Sequence, residues 1–188
     1  INGNDGGVNI SYDGGATYVH ANSPAVGQFY AIGYDMDKPY NVYGGLQDNG
    51  VWVGPSTYEA SDVWHSEGQY PYKRLYGGDG MQVKVDPRDN NTVYTGLQFG
   101  NYARINRRTG AVERSIRPRH ELGQAPLRYC WQTPIHLSTH NADVLYYGAN
   151  RVFRSLNKGE SFEPISPDLT RGAVPGDVPF GTLAALQE

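Results

Sequence analysis

Two carboxylates, Asp48 and Asp79, are the residues of this chain best placed to do chemistry. Cleavage of a glycosidic bond needs an acid and a nucleophile or base, about 5 Å apart for retention and about 6.5 to 9.5 Å for inversion. Asp48 lies in Gln47-Asp48-Asn49-Gly50 and Asp79 in Gly77-Gly78-Asp79-Gly80. Asp5, Gln47, Asn49, Tyr76, Gln98, Arg128, Trp131 and Asn150 add carboxylate, amide, guanidinium and aromatic groups. That mixture suits a polar ligand with flat apolar patches, a glycan, or an extended peptide.

Every one of these residues also has a structural use. Asn49-Gly50 is a strong hairpin dipeptide, which makes Asp48 a turn residue, and Asp5-Gly6-Gly7 reads the same way. The glycines around Asp79 can serve a contorted backbone. Arg128 can tether a loop to a carboxylate, and Trp131 can be core. Gln47 and Gln98 recur at equivalent positions, as a hydrogen bond between neighbouring repeats would require. The case for a site therefore rests on co-location, which depends on the elements that carry these residues.

Those elements repeat. Gly45, Gly96 and Gly148 each follow an apolar/Tyr pair, Val42-Tyr43, Val93-Tyr94 and Leu145-Tyr146, at spacings of 51 and 52 residues. Eight residues before the tyrosines stand Asp35, Asp86 and Ser138. Repeats of about 40 to 50 residues made of several short strands are the mark of propeller blades. The expected fold is an all-β, β-propeller fragment with about three complete four-stranded blades and half-blades at both ends. Strands A to D of the first blade are expected at 29–34, 41–46, 50–53 and near 62–65. In the second they are 81–85, 92–98, 102–106 and 111–116; in the third, 135–138, 144–148, 151–155 and 161–165.

The division is 1–27 for strands C and D of an incomplete blade, then blades at 28–66, 81–116 and 135–166. Connecting loops occupy 67–80 and 117–134, and 167–188 carries a connection and the first strand of a next blade. D–A and B–C connections should share one face, and A–B and C–D connections the other. An unclosed array leaves apolar blade faces uncovered. The missing blades are expected from a longer parent or from another chain, and the isolated piece is expected to associate.

Composition agrees with a turn-rich β protein: 24 glycines and 15 tyrosines among 188 residues, with no long helical apolar pattern. The formal net charge of -3 and the scattered basic residues argue against a nucleic-acid partner. Arg107-Arg108, Arg114, Arg117 and Arg119 form the one local basic cluster and read as a solvated strand face. No run approaches a membrane span. Cys130 is the single cysteine, so no intrachain disulfide can form. The five histidines show no metal-ligand spacing, and no phosphate loop, dinucleotide fingerprint or nucleophile elbow is present. No metal or cofactor is expected.

Ser11-Tyr12-Asp13-Gly14-Gly15-Ala16-Thr17-Tyr18 resembles the Asp-box, or BNR repeat, Ser-x-Asp-x-Gly-x-Thr-Trp, with Tyr18 for Trp. Ser155-Leu156-Asn157-Lys158-Gly159-Glu160-Ser161-Phe162 resembles a degraded second copy. With Gly44 to Gly50 and Ile165 to Thr170, nearly the whole chain looks like the bacterial BNR-repeat proteins labelled glycosyl hydrolases. Those are similar to the sortilin/Vps10 propeller. The resemblance implies a propeller and an extracytoplasmic location, and leaves activity open. Asp13 reads as a turn device: its carboxylate and the hydroxyl of Ser11 can satisfy backbone N–H groups, Gly supplies positive φ, and the aromatic packs inward. Three functions follow as expectations: a noncatalytic propeller binding a glycan or protein, a glycoside hydrolase using Asp48 and Asp79, or a structural or assembly subunit.

Overall fold

A computed structural model describes residues 1–4, 7–21, 27–59 and 71–170. Among these the chain is all-β, with four separate antiparallel sheets and no closed barrel. The first sheet has three strands, β1 (Asn2–Asn4), β2 (Gly7–Ile10) and β3 (Val19–Ala21). The second is a four-stranded meander of β4 (Phe29–Tyr34), β5 (Asn41–Leu46), β6 (Gly50–Pro55) and β7 (Lys73–Tyr76). The third contains β8 (Val83–Asp86), β9 (Asp89–Leu97), β10 (Asn101–Asn106) and β11 (Val112–Ser115). The fourth contains β12 (Ile135–Leu137), β13 (Leu145–Gly148), β14 (Val152–Ser155) and β15 (Glu163–Pro164). This is a β-propeller fragment: three complete blades and one partial blade before them.

Two expected boundaries differ. The first complete blade takes its fourth strand from Lys73–Tyr76, inside the stretch 67–80 read as a connecting loop. Its pairing with β6 runs Val51↔Tyr76, Trp52↔Arg74 and Val53↔Lys73. Leu75 and Tyr76 pack on the core formed by Tyr43, Val51, Val53, Val83 and Val93, which fixes the strand there. The strand expected near 62–65 lies outside the described residues, as do residues 171–188 of the stretch expected to carry the first strand of a next blade. The leading partial blade has three strands rather than two, because Asn2–Asn4 pairs with Gly7–Ile10.

The cores lie between blades. The first joins the second and third sheets through those valines and Tyr43. The second joins the third and fourth through Met81, Tyr94, Tyr102, Ile116, Tyr129, Ile135, Leu145, Tyr147 and Phe153. The leading strand β8 lies against β4 on one side and β12 on the other, so the leading strands cluster together. Buried tyrosines need partners for their hydroxyls, and three of them here fasten the connections. Tyr102 donates to the carbonyl of Thr133 (2.8 Å), Tyr129 to that of Pro118 (2.6 Å) and Tyr147 to that of Gly100. Their rings, with Phe162, meet edge to face around Tyr147.

The recurring glycine is required at Gly45, where the next blade's backbone crosses it. A Cβ there would stand 2.1 Å from the Met81 carbonyl oxygen. Its counterparts are confined by other atoms: Gly96 by the backbone of Asn101 and Gly148 by the ring of Pro134.

Candidate functional site

The connections entering each blade and the turns joining its second and third strands lie on one face. Gly50 N–H donates to the Gly78 carbonyl (2.8 Å) and Gly80 N–H to that of Leu46 (2.9 Å). Phe99 N–H reaches the Trp131 carbonyl (3.1 Å), and Asn150 N–H that of Arg128 (2.8 Å). Asp48 and Asp79 are therefore brought together, as the strand order demands.

They meet in a particular way. Asp79 is 7% exposed, and its Oδ1 accepts the backbone N–H of Asp48 at 2.7 Å. Asp48 has φ 61°, so its amide turns toward the incoming connection while its side chain is exposed. Asp79 N–H in turn donates to Gln98 Oε1 (3.3 Å). The carboxylate of Asp79 thus holds a turn of one blade, and the amide of Gln98 holds the connection that enters the next.

The fourth sheet repeats the clasp with different atoms. Asn150, 6% exposed, accepts from Arg128 N–H through Oδ1 (3.2 Å) and donates from Nδ2 to Asp168 (2.8 Å). Arg128 Nη2 donates to Asp168 Oδ2 (2.8 Å) and to the Thr170 hydroxyl. Asp168 also accepts the N–H of Thr170 (2.9 Å). The Thr170 hydroxyl, the Asn150 amide and Arg128 together hold its carboxyl far below the ordinary range. Arg128 therefore tethers a loop to a carboxylate.

Near the leading strands the groups form a relay across three sheets' worth of chain. Trp131 Nε1 donates to the Tyr30 hydroxyl (3.2 Å), which donates to Gln47 Oε1 (3.2 Å). The Trp131 ring meets Phe99 edge-on at 5.1 Å and packs on the second core. Asn49 Nδ2 donates to the Gln47 carbonyl (3.1 Å), and Asn101 Nδ2 to that of Gln98 (2.8 Å). Tyr76 sits on β7 with its ring against the first core. Asp5 lies outside the described residues. The sequence reading missed Tyr30 and undervalued Asp168. Tyr30 is hidden within an ordinary strand alternation, and the distance from Asn150 to Asp168 carries no periodic signal.

The opposite face collects the A–B and C–D turns. Asp35 (2% exposed) accepts from the N–H groups of Asp37 (3.1 Å) and Asn41 (2.8 Å), the Tyr43 hydroxyl (2.8 Å) and Arg107 (2.9 Å) of the next blade. Burial pushes the Asp35 carboxyl up, but bonds from Asn41, Tyr43 and Asp37 outweigh it and leave it below the usual value. Asp86, fully buried, is paired with Arg88 (2.8 Å), and Lys158 of the next blade stands 3.8 Å away.

The two Asp-box-like turns, between β2 and β3 and between β14 and β15, adopt one hydrogen-bond scheme. Ser11 Oγ donates to Asp13 Oδ1 (2.9 Å) and accepts Gly15 N–H (2.7 Å), while Asp13 accepts Thr17 N–H (2.9 Å). Ser155, Asn157, Gly159 and Ser161 reproduce it at 2.9, 2.8 and 3.0 Å. Gly14 and Lys158 share positive φ, as do Gly15 and Gly159. The Thr17 hydroxyl and N–H and the Ser11 hydroxyl hold Asp13 down to about 2. Phe162 packs against the core, whereas Tyr18 is 55% exposed, contrary to the inward aromatic expected there: among the described residues, the partial first sheet contributes nothing to either core.

Among the described residues no group of His, Cys, Asp and Glu has the arrangement of a metal site, and no helix is long and apolar enough to cross a membrane. No protein-family model matches the chain, and no curated protein does.

Proposed function

We propose that this chain is a section of a noncatalytic propeller whose connector-rich face binds a glycan or a protein. The observation that carries the noncatalytic part is the bond from Asp48 N–H to Asp79 Oδ1. Glycosidic cleavage asks two carboxyl groups to face one bond across a set gap. Asp79 is instead buried and committed to a backbone amide, and what the turn takes from Asp48 is its N–H, not its carboxylate. The exposed Asp48 side chain and Gln132, with the half-buried Gln47, Asn49 and Trp131, supply the polar and aromatic mixture for binding. Kinship with the BNR-repeat propellers, and through them the sortilin/Vps10 type, is supported by the shared scheme of the two Asp-box-like turns. An extracytoplasmic location and further blades from a longer parent or another subunit belong to the same proposal. An assembly role is favoured separately by the exposed Phe29, Ile32 and Tyr34 on β4.

A polysaccharide panel separates binding from hydrolysis. Retardation in affinity electrophoresis without release of reducing ends is expected, with Gln132→Ala and Trp131→Ala weakening retardation. Asp48→Gly should leave stability unchanged or slightly higher, since glycine adopts positive φ freely. Asp79→Ala should cost roughly 1–3 kcal/mol by orphaning the Asp48 amide. Reducing sugar released by the natural chain and abolished by Asp79→Asn would establish the hydrolase instead.

A further inference from the structure

Glu113, Arg114, Arg117, Arg119, Phe153 and Phe162 line a cleft of about 560 Å³ on the side of the fragment, between β11 and the turn that joins β14 to β15. Its size falls in the range of ligand sites, about 300–1,000 Å³. Its acids are already engaged. Glu113 accepts from Arg104 (3.1 Å), and Glu160 from Arg104 (3.0 Å) and Arg114 (2.9 Å).

Arg117 and Arg119 are left without a carboxylate partner among the described residues. Arg117 is held in place: its guanidinium stacks 4.2 Å over the Tyr129 ring, and Nη1 donates to Asn101 (3.2 Å). Its buried Nε has no acceptor among the described residues. A fixed guanidinium with unspent donors beside a second free cation selects an anion, because charge-assisted bonds strengthen where water is displaced.

The wall beside these cations is an open strand edge. Among the described residues β11 pairs only with β10, and Val112–Ser115 are all exposed. An extended peptide can add to such an edge, exchanging main-chain hydrogen bonds while alternate side chains point to one side. Phe153 and Phe162 give those side chains an apolar floor, and Arg117 and Arg119 give acidic ones a partner. We infer that this cleft binds an extended acidic peptide, laid along the free edge of β11 with its carboxylates on Arg117 and Arg119. None of the residues named for binding on the connector-rich face (Asp48, Gln47, Asn49, Trp131 and Gln132) lines this cleft, so it stands or falls independently of binding there.

Fluorescence anisotropy on the full chain tests it, with a labelled octapeptide of alternating Glu and Val as probe. Saturable binding that weakens with added salt is expected. Arg119→Ala, at an exposed side chain, should weaken it about tenfold or more. The same peptide N-methylated at alternate residues should fail to bind, because it cannot join the strand edge. Equal binding by Arg119→Ala, undiminished binding of the N-methylated peptide, absence of binding, or preference for an oligogalacturonate over the peptide would each overturn the inference.

Discussion

Tyr43 and Tyr94 occupy the same place in successive blades, both fully buried, yet their hydroxyls fare differently. Tyr43 donates to Asp35 and lies 3.3 Å from Arg107 of the next blade. Tyr94 Oη has no partner among the described residues, and burial with the nearby Asp86 charge pushes its phenol up to about 12. A buried donor left unmade costs its desolvation, whereas a satisfied one returns a modest gain. Tyr43→Phe should therefore destabilise by about 1–2 kcal/mol, while Tyr94→Phe should be neutral or stabilise by up to about 1 kcal/mol. At this chain length each kcal/mol moves the melting temperature by roughly 2–4 °C, so paired thermal melts resolve the two. A loss of similar size at both positions would show that the repeat equivalence extends to the hydroxyls. The same contrast explains part of what was legible: the tyrosine period marks buried positions, and which phenol finds a partner depends on a neighbouring blade.

Between elements, the faces of the blades are joined by carboxylates that the fold holds ionised. Asp35 and Asp86 are buried, and burial alone would raise them. Amide, phenol and arginine donors outweigh it, so both carboxyls fall below the ordinary 3.8. A depressed folded value means that their stabilisation is complete above the unfolded value and is lost as pH falls below it through the folded one. Thermal stability should decline as pH drops past 3.8, and Asp35→Asn should lower the neutral-pH melting temperature while flattening that acid slope. An unaltered slope in the variant would remove Asp35 from the account. Arg107, read in the sequence as part of a solvated basic cluster, and Lys158, read only as a member of the degraded Asp-box, reach these carboxylates from the following blade.

At the scale of the molecule, the first complete blade is covered on one side only among the described residues. Gly33 packs toward β8, where an added Cβ would stand 3.0 Å from the Val83 carbonyl oxygen, so Ile32 and Tyr34 point the other way. They are 70% and 69% exposed, with Phe29 beside them at 52%. Contiguous apolar surface of this kind drives association in water. Sedimentation of the 188-residue chain should show mass rising with concentration, and Ile32→Lys with Tyr34→Lys should return it to the monomer. A concentration-independent monomer for the natural sequence would mean that the face is covered in solution.

The sequence by itself determined the repeat, the strand order and the two-faced distribution of loops, because backbone alternation and turn residues are local properties read at short range. It also placed Asp48 near Asp79 and gave Arg128 its tethering use. It did not place the fourth strand at Lys73–Tyr76, since that strand is fixed by packing against Val51 and Tyr43 rather than by its own alternation. Only the tertiary structure decided that Asp79, Gln98 and Asn150 spend their polar atoms on incoming connections, and that Arg117 and Arg119 have no carboxylate partner among the described residues. Whether a polar group is consumed or left over depends on atoms that other blades bring to it, and no periodicity along one chain records that.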